Sequence, residues 1–142
     1  MAHKTIAKII AIPFFIFWLI VLWMGADHPV PPGFIIVALI DLAAAFVVYW
    51  RIPTYLQWHI DEKPLRLLRV LADGLAAGVV IAIFMMLLPG TGDPSAPDPT
   101  LIDHLIWVMV LGFMGMFNST LVYGIVTVIE RLTNRKSTGN KK

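Results

Sequence analysis

Residues 34–50 read FIIVALIDLAAAFVVYW, and sixteen of the seventeen are apolar. A run of this length and hydropathy is a membrane-span signal, since crossing a ~30 Å hydrocarbon core takes about 17–25 helical residues. Its one polar residue is Asp41, in the middle.

Three more runs share the property, so the expected spans are residues 6–24, 34–50, 67–88 and 104–129. The second is at the short end of the range, and the fourth is long enough that it must tilt or protrude. Composition agrees. The chain of 142 residues is 58% hydrophobic and only 14% charged, with mean hydropathy +0.80. Soluble domains carry about 25% charged residues. Cys is absent, which excludes disulfides, thiolate metal sites, a nucleophilic Cys and a lipoprotein anchor.

All eleven Lys and Arg residues fall on one side of these spans. Lys4 and Lys8 precede the first. Arg51, Lys63, Arg66 and Arg69 surround the second connection. Arg131, Arg135, Lys136, Lys141 and Lys142 follow the fourth. The connections GADHPVPPG and PGTGDPSAPDPT hold none. By the positive-inside rule both termini are expected in the cytoplasm, and the Pro-rich, acidic loops outside. The expected fold is therefore an all-α, antiparallel four-helix transmembrane bundle. It occupies residues 1–131 as one domain, with 132–142 as a basic, flexible cytoplasmic tail. The first span is read as a retained anchor, because cleavage after Ala26 would place Met24 at the −3 position, where a small residue is preferred. The inner connection IPTYLQWHIDEKP lies between Pro53 and Pro64 and is expected to form a short interfacial helix, with Tyr55 and Trp58 in the headgroup zone. Pro13 removes one helical hydrogen bond from the first span.

The polar groups within the spans are the candidate functional residues. Asp41 lies about seven residues, or roughly 10 Å, from the outer edge. A carboxylate at that depth is costly, so it must be protonated, hydrogen-bonded inside the bundle or facing water. The first span offers Trp18 as a donor at that level, and the fourth offers Gly112 as a close neighbour. Asp73 follows Arg69 by four residues, which puts the two on one helix face as an expected pair, with Tyr123 at similar depth. Ser119, Tyr123, Thr127 and Glu130 form a polar stripe on the fourth span, with Asn118 beside it. Gly74 and Gly78 make a GxxxG, and Gly115 with Ser119 a second small-residue pair; such pairs allow close helix approach within one bundle or between subunits. DLAAAFVV (41–48) resembles DGLAAGVV (73–80), but the rest of the two halves does not align, so no repeat is read.

The Asp27-His28 and Asp103-His104 pairs carry metal-ligand residue types. Their spacing matches no ligand box, and neither a metal nor haem is expected. The chain has no nucleophile elbow, P-loop or HExxH, and its few basic residues fit anionic lipid rather than nucleic acid. The size and topology match several kinds of small bacterial membrane protein: accessory transporter subunits, immunity proteins, small exporters and phage holins. The expectation is a non-enzymatic protein of a bacterial plasma membrane that associates with lipids and with another membrane protein or itself. A small proton- or cation-coupled transporter using Asp41 is the alternative, and a holin the third reading.

Overall fold

The computed structural model describes the backbone of residues 3–26, 30, 33–87 and 99–139, and within these the side chains of 5–26, 30, 33–87 and 99–133. Four helices occupy this chain: α1 (His3–Gly25), α2 (Phe34–Ile60), α3 (Arg66–Leu87) and α4 (Leu101–Gly139). No strand occurs among the described residues. All four helices are long and apolar enough to cross a membrane, the pattern of a multi-pass membrane protein.

The second helix does not stop where its apolar run stops. It continues through Arg51 and Pro53 to Ile60, a length of about 40 Å at ~1.5 Å per residue. The separate interfacial helix expected between Pro53 and Pro64 is therefore the last part of α2. Pro53 removes one backbone donor, and the surrounding helical bonds carry the helix past it, as they do past Pro13 in α1. The stop comes at Asp61. Lys63 N donates to Trp58 O (3.2 Å) and Glu62 N to His59 O (3.3 Å). With Glu62 in the left-handed region (φ 49°), this is a Schellman cap, built on a Glu where Gly is usual. Pro64 follows, Leu65 is also left-handed (φ 55°), and α3 begins at Arg66. The turn between α2 and α3 is thus only residues 61–65.

The fourth helix also exceeds expectation. It runs through Gly139, so most of the segment expected as a flexible tail from residue 132 is helical, and 140–142 lie outside the described residues. Its start is fixed by a capping box. Thr100 Oγ1 accepts from Asp103 N (3.3 Å), and Asp103 Oδ2 accepts from Thr100 N (2.8 Å), which satisfies two donors at the helix end reciprocally.

Packing is most extensive between α3 and α4, then between α1 and α2; α2 touches α4 and, less, α3. The α3–α4 seam explains the small residues. A Cβ built on Gly74 would overlap the Gly115 backbone and Ser119 Oγ, and one on Gly78 would overlap the Leu111 backbone. Gly112 in turn receives Leu75. The GxxxG and its counterpart are therefore used inside this chain. The core gathers where the basic residues lie: Ile6, Ala7 and Ile10 from α1 meet Ile52, Tyr55 and Leu56 from α2, Val70 from α3, and Val122 and Val126 from α4. Most other large apolar side chains, such as Phe46, Phe84, Phe113 and Phe117, are exposed, as suits helix surfaces facing lipid tails.

Candidate functional site

At the basic end, the continuation of α2 carries Arg51, Tyr55, Trp58 and His59 into contact with α3 and α4. The spacing from Arg51 to Tyr55 to His59 is four residues each, one helix face. Asp73 of α3 is the centre. Arg51 Nε donates to its Oδ2 and Arg51 Nη2 to its Oδ1, both at 2.6 Å, a bidentate fork. Tyr55 Oη donates to Oδ2 at 2.7 Å. The side chains of Arg51 and Asp73 are 24% and 26% exposed, so the pair is largely withdrawn from solvent.

The expected partner of Asp73 was Arg69, four residues earlier on the same helix, and the structure corrects this. Arg69 instead lays its guanidinium over the Trp58 ring, 6.0 Å from the centroid. Arg51 lies 5.6 Å from the same centroid, so Trp58 meets a guanidinium from each of α2 and α3. The reason is geometric. An i,i+4 pair meets on the helix surface, whereas Asp73 is turned toward α2, where a planar fork and a phenol satisfy both its oxygens.

A second set of contacts joins α2 to α4. His59 Nδ1 lies 3.5 Å from Tyr123 Oη, and His59 Nε2 lies 3.7 Å from Glu130 Oε2. The Tyr123 ring meets Tyr55 edge-on at 6.3 Å and His59 at 6.2 Å. Tyr123 thus joins the same end of the molecule as Asp73, through Tyr55 and His59. Ser119 is buried and donates to Val70 O (2.9 Å), with Met116 O at 3.0 Å, tying α4 to α3. Thr127, the third member of the stripe, bonds only its own helix, at Gly124 O (2.8 Å). Asn118 is half-buried beside Ser119.

Asp41 stands apart from this cluster. It is 7% exposed, and its Oδ2 is buried without a hydrogen-bond partner. Trp18, expected as its donor, is half-buried and meets Phe17 edge-on at 5.4 Å, and Gly112 faces Leu75 and Val79 of α3. Asp103 is occupied by the α4 cap, and His104 Nδ1 lies 2.7 Å from Thr100 O. Their expected counterparts Asp27 and His28 lie outside the described residues. Among the described residues no three His, Asp or Glu side chains gather where a metal could sit.

The network missed from sequence is the set Arg51, Tyr55, Trp58 and His59. The four-residue spacing was the available signal, and reading residues 52–64 as a connection with its own interfacial helix hid it. Chemically, the cluster pairs opposite charges across helices, Arg51 of α2 with Asp73 of α3. Set against known protein families, characterised proteins and solved structures, the chain matches none of them.

Proposed function

We propose that this chain is a non-enzymatic, four-span protein of a bacterial plasma membrane that works by association within the bilayer, as an accessory, regulatory or immunity-type subunit. Both termini lie in the cytoplasm, and the helices form an antiparallel bundle. The distribution of all eleven Lys and Arg supports the orientation. The seam contacts run in opposed order along α3 and α4: Val70 with Ser119, Gly74 with Gly115, Gly78 with Leu111. That order supports antiparallel neighbours.

One observation carries the association reading. The polar groups between α2 and its neighbours face one another, Arg51 paired with Asp73 and His59 Nε2 lying 3.7 Å from Glu130 Oε2. The connections are too short for an extramembrane domain, with only residues 61–65 between α2 and α3. What remains for recognition is lateral: the apolar outer faces of the helices, such as Phe113 and Phe117 of α4, 60% and 67% exposed. A photoreactive amino acid placed at Phe113 or Phe117 in native membranes should give a protein adduct, either a doubled chain or a second protein. At Val126, which is fully buried, it should give none. Lipid adducts alone, at every exposed position along all four helices, would contradict association.

A further inference from the structure

Burial in this molecule ends at a definite level. Counting from the basic end, the last buried residues are Ala11 on α1, Asp41 on α2, Ala82 on α3 and Gly112 on α4. Beyond them, no described residue of 12–25, 34–40, 83–87 or 101–111 is buried. Below them the basic end is closed by Ile52, Val70 and Val126, each fully buried. Asp41 therefore sits at the floor of the loosely packed end and above the sealed one.

No charge faces it. The charged residues of α1 stop at Lys8, and those of α3 at Asp73. Between Leu105 and Ile129, α4 has Tyr123 alone as a titratable group. On α2 itself Tyr49 is two turns away, and Arg51, Tyr55 and His59 lie further on, in the basic-end cluster. From Asp41 to Arg51 is ten residues, about 15 Å along the helix. An anion at Asp41 would have neither an ion-pair partner nor a hydrogen bond to Oδ2, the arrangement that membranes penalise most. A hard metal cation would need several further oxygen ligands, and among the described residues no cluster of acidic groups lies there. A proton needs only the unpartnered oxygen.

We propose that Asp41 is an intramembrane proton-binding site, loaded from the end of the bundle remote from the Arg51–Asp73 pair. This goes beyond the association reading and does not depend on it.

The probe is dicyclohexylcarbodiimide, which partitions into bilayers and reacts with protonated carboxyls. The acid O–H adds across one C=N bond, and the O-acylisourea rearranges to a stable N-acylurea that retains every atom of both reactants. The unaltered chain is labelled in right-side-out and inverted membrane vesicles, the pH of each face is varied separately from about 5 to about 10, and the adduct is mapped by mass spectrometry. Asp73, held by Arg51, is the internal reference. The expected result is an adduct on Asp41 and not on Asp73, absent in Asp41→Asn. Its yield should fall roughly tenfold per pH unit once the proton is lost, following the pH of the face remote from the basic residues. No adduct at Asp41, or a yield constant across the whole range, would overturn the proton site. A yield that follows the pH of the basic face would overturn the direction of loading.

Discussion

Replacing Asp73 by Asn should destabilise the helix assembly by about 2–4 kcal/mol. That lies near the ~3–5 kcal/mol found when one partner of a buried pair is removed, reduced because each side chain is about a quarter exposed. The substitution leaves the Arg51 guanidinium without its carboxylate and removes a charged acceptor from Tyr55. Arg51→Gln should cost a similar amount, and the double variant clearly less than the sum, because the second change then removes a charge already unpaired. Arg69→Gln should couple to Asp73→Asn clearly less than Arg51→Gln does, because Arg69 reaches the pair only through the shared Trp58 ring. Unfolding in mixed micelles with a rising fraction of dodecyl sulfate measures the three single variants and the two doubles. Strong coupling to Arg69 and none to Arg51 would reverse the assignment.

Gly78→Ala is the second large effect, although it adds a single methyl. The new Cβ would run into the Leu111 backbone and Gly112 Cα, neither of which can rotate away. The two helices must separate, with a loss of about 1–3 kcal/mol for overpacking. Gly124→Ala is the matched control, because nothing lies within 4 Å of its would-be Cβ. It should be neutral or slightly stabilising, since Ala is the better helix former. The same micelle titration separates the two. Equal tolerance at both positions would mean that α3 and α4 do not meet along the Gly74–Gly78 face.

The parts of the fold that depend on hydropathy were legible in the sequence. Four helices lie where the four apolar runs lie, because burying a peptide group in hydrocarbon without its hydrogen bond is too costly for any other local structure. The small residues Gly74, Gly78 and Gly115 were legible as contact points, though not as contacts within this chain, since the same motif serves both uses. Helix ends were not legible. Hydropathy reports where lipid contact stops, and hydrogen bonding continues past that point, through Arg51 and Pro53 in α2 and beyond Leu132 in α4. That error had a consequence for the site. With residues 52–64 read as a connection, Asp73 was paired with Arg69, and Tyr55, one of its two true partners, was assigned to the headgroup zone. Asp41 was legible as an anomaly from a single line of sequence, and its burial follows from the cost of a carboxyl in lipid. Its lack of a donor from Trp18 was not, because indole orientation depends on packing that periodicity does not encode.

The central claim is a chain that crosses the membrane four times with its basic end in the cytoplasm. The chain contains no Cys, so single cysteines at Ser95 and Ser137 can be read without background. In intact cells, a membrane-impermeant maleimide should label Ser95→Cys at once, and Ser137→Cys only after the membrane is broken. Labelling of Ser137→Cys from outside, or protection of Ser95→Cys until lysis, would contradict the account.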